Sequence, residues 1–156
     1  MKPSQILIVE DDRKMRLALR EIMTKEGYSV DTVETGEAAL GRVEETSYDL
    51  VITDLKLPGI DGMSLLKAIR KSRPDTSVVI ITAYATVDTA VEAMREGAED
   101  YISKPFNLDE IRIIVKKVLE KKALLDDNRL LRNQLKKKYS YDNVVGFPTD
   151  TVKKMF

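Results

Sequence analysis

Residues 48–62 read YDLVITDLKLPGIDG: a short apolar run, Leu50-Val51-Ile52, then an isolated carboxylate at Asp54, then chain breaks at Pro58, Gly59 and Gly62. The run is β-branched and continuous instead of alternating, the pattern of a strand covered on both faces, as in a parallel sheet. Asp54 therefore emerges at the C-terminal end of that strand. A carboxylate so placed is either a loop cap or the centre of a site.

Outward from this stretch, runs of the same kind recur at Ile6 to Val9, Tyr28 to Val33, Val78 to Thr82 and Asp100 to Ser103. Segments with helical spacing separate them. Met15, Leu17, Leu19, Ile22 and Met23 mark a first helix ended by Gly27, and Ala38, Ala39, Leu40 and Val43 a second, opened by Thr35 as N-cap. Leu65, Leu66 and Ile69 mark a third, and Val87, Ala90, Val91 and Met94 a fourth, stopped by Gly97. A fifth opens at Asn107, three residues before Glu110, in a capping-box-like arrangement. Alternating βα units predict an α/β fold, a doubly wound five-stranded parallel sheet with helices on both faces. Such sheets place ligands at the C-terminal ends of their strands.

Composition narrows the chemistry. The 156 residues allow one full domain plus an appendage, and 26 Lys and Arg balance 26 Asp and Glu, so overall charge favours neither nucleic acid nor a membrane surface. No cysteine is present, which removes disulfides and thiolate metal sites. No apolar stretch reaches the roughly 18 residues of a membrane span. The start, MKPSQILIVEDD, turns acidic before a signal-peptide core forms, so a soluble, cytoplasmic protein is expected. The chain also has no histidine, which removes the commonest general base and metal ligand. Chemistry must run on carboxylates, hydroxyls and lysine.

Four strand exits supply such groups. The first delivers Glu10, Asp11 and Asp12, the third Asp54, the fourth Thr82 and Ala83, and the fifth Lys104 followed by Pro105. Carboxylates from two strands make a hard-oxygen site suited to a divalent ion that keeps its waters, which means Mg²⁺. If Asp54 is a nucleophile towards a phosphoryl group, the metal offsets charge on its oxygens, Lys104 pairs with another oxygen, and the Thr82 hydroxyl donates to the same group. Each residue type then has a task.

The segments LIVEDD, DLVITDLKLPGIDG, VVIITAYA and YISKPF, in this order and spacing across residues 4 to about 121, resemble the motifs of the receiver domain of bacterial two-component response regulators. The resemblance implies a flavodoxin-like sheet of strand order 2-1-3-4-5. It implies Asp54 as phosphoacceptor and Glu10 and Asp11 as the metal-binding acids, joined by Asp54 and the Lys56 backbone carbonyl, with Asp12 one position past the pair in a supporting place. Thr82 matches the switch hydroxyl, Tyr101 the rotating aromatic and Lys104 the family lysine, with a cis Lys104-Pro105 peptide. Lys56 and Tyr84, two residues beyond Asp54 and Thr82, match positions that tune dephosphorylation. The implied partner is a sensor histidine kinase, and the implied role is that of a phosphoacceptor switch and not an enzyme.

From Leu108 the helical pattern overruns the domain: IRIIVKKVLEKKALLDDNRLLRNQLKKK holds no Gly or Pro. Ile111, Ile114, Val115 and Val118 are apolar enough to pack on the sheet. Beyond them Leu124, Asn128, Leu131 and Leu135 fall at d, a, d and a of a heptad, a spacing suited either to a short two-stranded coiled coil or to a solvated amphipathic helix. The expected organisation is a receiver at 1–121, a linker helix at 122–139 and, at 140–156, the start of a truncated further domain. A homodimer contact is expected through Ile111, Val118, Leu124, Leu131 and Leu135, with Asn128 setting register. This linker and the final NVVGFPTDTVKKMF resemble the region C-terminal to the receiver in sigma-54-dependent activators of the nitrogen-regulatory and dicarboxylate-transport type, where an AAA+ ATPase begins. No GxxxxGK[ST] loop and no DNA-binding helix-turn-helix is encoded in the chain. DNA and sigma-54 RNA polymerase are therefore expected as partners only through domains outside it, and a receiver of another response-regulator class is the alternative.

Rival chemistries fit less well. A phosphatase of the haloacid-dehalogenase type requires a second carboxylate two residues after the nucleophile, where this chain has Lys56. A flavin module requires a Ser/Thr/Gly-rich phosphate loop after the first strand, where EDDRKMR would repel phosphate. A stand-alone coiled-coil adaptor would leave the acidic rim without a task.

Overall fold

The computed structural model describes residues 2–144. Ten elements alternate along the chain: β1 (Gln5–Val9), α1 (Arg13–Lys25), β2 (Ser29–Val33), α2 (Gly36–Glu45), β3 (Leu50–Thr53), α3 (Gly62–Ser72), β4 (Ser77–Thr82), α4 (Val87–Arg95), β5 (Asp100–Ser103) and α5 (Leu108–Val144). The strands pair in parallel in the order β2-β1-β3-β4-β5. In β1, Ile6 sits opposite Val30 of β2 and Leu50 of β3, and Thr53 of β3 sits opposite Ile80 of β4.

The continuous apolar strands are explained by two cores, one on each face. Leu7, Val9, Val51, Val78 and Ile80 pack with Val43 of α2, Leu65, Leu66 and Ile69 of α3 and Ala93 of α4. Their neighbours Ile6, Ile8, Leu50, Ile52, Val79 and Ile81 point the other way, onto Leu19 and Met23 of α1 and Ile111, Val115 and Val118 of α5. The two-residue period of a strand sorts its side chains between these cores. Each buried Leu or Ile is worth about 1.5–3 kcal/mol relative to exposure.

Helix starts follow the cap chemistry. Asp12, Thr35, Asp61 and Thr86 each accept a hydrogen bond from a backbone N–H in the first turn of α1, α2, α3 and α4. The full capping box lies at Thr86 and Thr89 of α4, not at the start of α5. There Asn107 caps alone, its Oδ1 accepting from Asp109 N at 2.8 Å. Gly27 and Gly97 follow α1 and α4 with positive φ, as the sequence pattern predicts.

Two readings need correction. Ile111 is fully buried and Val118 is 8% exposed, both in the sheet-side core, so neither is available to a second copy. Their spacing gave the reason: with Leu124 and Leu131 at d, Ile111 and Val118 fall one position after d and share no seam with them. α4 stands where its apolar marks placed it, with its large apolar residues on the outer face. Val87 is 80% and Met94 49% exposed, and the only buried residue of the helix is the small Ala93. Last, α5 runs past Tyr139 to Val144, because the chain meets no Gly or Pro before Gly146.

By contacts the chain divides after Leu119. In the second unit Leu124 and Leu131 are exposed, and Lys122 pairs with Asp126 one turn on. The side chains of Asn128 and Leu135, and the segment 145–156, lie outside the described residues. Among the described residues no helix is long and apolar enough to cross a membrane.

Candidate functional site

Because all five strands are parallel, their C-terminal ends share one rim. There a cleft of about 630 Å³ is lined by Glu10, Asp11 and Asp12 from β1, Asp54, Leu55, Lys56 and Leu57 from β3, Asp61 at the start of α3, Ala83 and Tyr84 from β4, and Lys104 from β5. The predicted acids and lysine thus meet, from chain positions up to 94 residues apart.

Asp54 and Glu10 are nearly buried, at 7% and 3% exposure. Lys104 lies between them, its Nζ donating to Glu10 Oε1 at 2.5 Å and to Asp54 Oδ2 at 2.8 Å. Burial alone would lower the Lys104 pKa, but the hydrogen bonds to Asp54 and Glu10 outweigh it and hold the ammonium above its ordinary value. Glu10 is raised, because burial outweighs the opposing hydrogen bond from Lys104. Asp54 is further fixed by its backbone: its N–H donates to Val9 O at 3.3 Å, and its Oδ1 accepts from Lys56 N at 3.2 Å. Gly62, the last residue of the opening stretch, is required by close approach, since a Cβ there would run into the Asp54 carbonyl oxygen.

The donor set bears on metal binding. The three acids are hard oxygen ligands and share the cleft, and Lys104 already shows that the space between two of them holds a positive charge. Among the described residues no three acidic side chains stand close enough to enclose an ion by themselves.

Other predicted residues are placed less directly. Thr82 is fully buried and is not part of the cleft wall; its Oγ1 accepts from Tyr84 N at 3.1 Å. Tyr101 is half-buried, and its hydroxyl meets Thr89 Oγ1 of α4 at 2.6 Å. Lys56 and Tyr84 touch across the cleft, with Nζ 3.9 Å from the ring centroid, a cation–π contact. The Lys104-Pro105 peptide is cis. The sequence reading missed Asp61 as a wall residue, Thr89 as the partner of Tyr101, and Arg16, whose guanidinium touches the carbonyls of Glu10 and Asp11. Only Arg16 left a sequence signal, a cation one helical turn beyond three consecutive acids.

A 2-1-3-4-5 parallel sheet that carries an Asp, two further acids and a lysine on the rim where β1 and β3 adjoin defines a receiver of the two-component signalling type. The profile of the response regulator receiver domain matches residues 6–116, and the chain belongs to that family. It is 34% identical over 142 residues to the regulatory protein AtoC of Escherichia coli, covering 91% of this chain and 31% of that protein. It is 40% identical over 123 residues to sporulation initiation phosphotransferase F of Bacillus subtilis, covering 79% of this chain and 99% of that protein. Among solved structures, NtrX from Brucella abortus superposes with a TM-score of 0.78 at 33% identity, over 83% of this chain and 29% of that one. A CheY-like receiver from Methanospirillum hungatei gives 0.76 at 31% identity, over 78% and 98%. The chain thus spans less than a third of the length of some relatives and nearly all of others.

Proposed function

We propose that Asp54 accepts a phosphoryl group from the phosphohistidine of a sensor histidine kinase, or from a small acyl phosphate, in a Mg²⁺-dependent step. An Asp54 carboxylate oxygen attacks phosphorus; the P–O bond forms as the P–N bond to the kinase histidine breaks, and the imidazole nitrogen keeps the electron pair. The observation that carries this reading is the buried Lys104 ammonium held between Asp54 and Glu10, a cation set where phosphoryl charge would arrive. Glu10, Asp11 and Asp54, with the Lys56 carbonyl, would hold Mg²⁺, which offsets charge on the phosphoryl oxygens. The chain's own part is to present the Asp54 carboxyl group at the cleft, to keep Lys104 charged beside it and to limit water through the Lys56–Tyr84 contact. The domain acts as a switch: its phosphorylation and hydrolysis happen on itself, not on a turned-over substrate.

On phosphorylation the Thr82 hydroxyl moves towards the phosphoryl group and Tyr101 turns into the space it leaves, which costs the bond to Thr89. In a longer parent protein, cytoplasmic and resembling sigma-54-dependent activators, this change alters how two copies pair along the linker through Leu124, Asn128, Leu131 and Leu135. DNA and polymerase contacts belong to domains beyond this chain. A receiver of a different response-regulator class remains the alternative for the output alone.

The test is intact-mass spectrometry after incubation with acetyl phosphate, with Mg²⁺ or with EDTA. One phosphate is expected only with Mg²⁺ and only with Asp54 present. One added phosphate in Asp54→Asn would overturn the assignment.

A further inference from the structure

We infer that Arg16 is the positioning residue that sets the acidic β1–α1 loop for a divalent cation; this rests on the metal reading above. Glu10, Asp11 and Asp12 are three consecutive acids, and all three line the cleft. Arg16 is not part of the cleft wall. Its Nη1 donates to the backbone carbonyls of Glu10 at 3.1 Å and Asp11 at 3.4 Å, and its Nη2 pairs with Glu34 at 3.1 Å. One guanidinium, 13% exposed, thus ties the loop after β1 to the loop after β2.

The rest of the loop is fastened by its own groups. Glu10 N donates to Val33 O at 3.1 Å, Glu10 Oε2 accepts from Asp12 N at 3.4 Å, and Asp12 Oδ1 accepts from Lys14 N at 3.1 Å. Of these, only the 3.4 Å bond from Asp12 N bears on the peptide plane that contains the Asp11 carbonyl, and none is accepted by either the Glu10 or the Asp11 carbonyl. Those two carbonyls set the peptide planes on either side of Asp11, and through them the direction in which its exposed carboxylate leaves the backbone. Arg16 alone, among the contacts described, holds both. It also places a positive charge behind three like charges that would otherwise push the loop apart when no metal is bound.

A lysine cannot replace it. An ammonium is a point donor on a flexible stem, whereas the planar fork reaches two carbonyls with one nitrogen and a carboxylate with the other. Partners that orient metal ligands in this way typically change metal affinity about 10–100-fold when removed.

The experiment is isothermal titration of the full chain with MgCl₂ at constant ionic strength, comparing wild type with Arg16→Ala and Arg16→Lys. Far-UV circular dichroism and metal-free urea unfolding accompany it. Mg²⁺ affinity is expected to fall at least about tenfold in Arg16→Ala, and Arg16→Lys is expected to stay closer to Ala than to wild type. The Lys variant keeps charge and helix propensity, so it decides the matter if the Ala variant fails to fold. Folded variants that bind Mg²⁺ within about twofold of wild type, with only a lower unfolding midpoint, would show a structural brace and overturn the inference. Full recovery in Arg16→Lys would overturn it too, because charge and not orientation would then be the cause. A wild-type chain that takes up no Mg²⁺ would sink the metal reading itself, and this inference with it.

Discussion

Lys104→Met keeps the methylene stem of the lysine and removes its charge from between two buried acids. In the native structure the ammonium sits 2.5 Å from Glu10 and 2.8 Å from Asp54, with the two carboxylate side chains only 4% and 8% exposed. At an effective dielectric near 20, each pair attracts with about 6 kcal/mol, much of it consumed by stripping water from three charges. Removing one partner of a buried pair costs about 3–5 kcal/mol, and the open cleft places this site at about 3 kcal/mol. That corresponds to a fall of about 10 °C in melting temperature at pH 7. The pH dependence carries the sharper test. The folded pKa of Lys104 is raised, so its contribution is complete below its ordinary 10.5 and is lost only as pH rises through the folded value. Glu10 is also raised, so the fold favours its protonated form and charging it above its ordinary 4.5 works against stability. Without Lys104 that burden grows, because two carboxylates then face one another. The deficit of Lys104→Met should be largest near neutrality and shrink on acidification towards pH 5, because the protonation of Glu10 that burial already favours then relieves the repulsion. Thermal unfolding followed by circular dichroism across this range reads both quantities. A melting point within about 2 °C of wild type at pH 7, or a deficit that grows on acidification, would refute the reasoning.

Tyr48 donates to Asp31 at 2.6 Å and is pushed up to about 12, by burial first and by Asp31 second, so the fold should lose stability between pH 10 and 12 by a component that Tyr48→Phe abolishes. Because Lys56 and Tyr84 are in contact, Lys56→Ala and Tyr84→Ala should each shorten the phosphoryl lifetime and the pair together by less than the product, as measured by loss of the phosphorylated mass; additive effects would separate the two residues. Charged replacements at the exposed Leu124 and Leu131 should yield monomers at micromolar concentration in light scattering while Asp54 is still phosphorylated, whereas a surviving dimer would place the contact on the receiver.

The strands were legible because burial on both faces leaves an unbroken β-branched run that few other structures produce, their order came only with the resemblance of the motifs, and Asp54 was legible because it ends such a run. Helix caps were equally plain at Thr35, where a hydroxyl precedes the first turn. What failed did so for a physical reason. In α4 the helix itself was legible but its seating was not: the large apolar residues that mark it face outward and a single alanine is buried beneath. In α5 two apolar stripes one position apart were merged, and only packing shows that Ile111 and Val118 belong to the first. Thr89 acts through a hydroxyl contact that no residue pattern announces, and Arg16 acts through two backbone carbonyls and Glu34, signalled only by a cation one turn beyond three acids. The position of Thr82, whose hydroxyl serves the Tyr84 amide and not the cleft, was invisible for the same reason.

The shallow seating of α4 has a consequence for how little work is needed to move it. Nine residues long, it is held by Ala93 beneath, by a capping box, by an exposed Lys67–Glu92 pair and by the hydroxyl contact between Thr89 and Tyr101. Exposed pairs and single neutral hydrogen bonds each contribute about 1 kcal/mol or less, and 1.4 kcal/mol changes a population tenfold. Amide exchange in α4 should therefore proceed by local opening, far faster than in the strands beneath it, whose release requires global unfolding. A helix with so little inertia turns the loss of one side-chain contact into a several-fold change in the share of molecules in which it has shifted, while the sheet carrying Asp54 stays still.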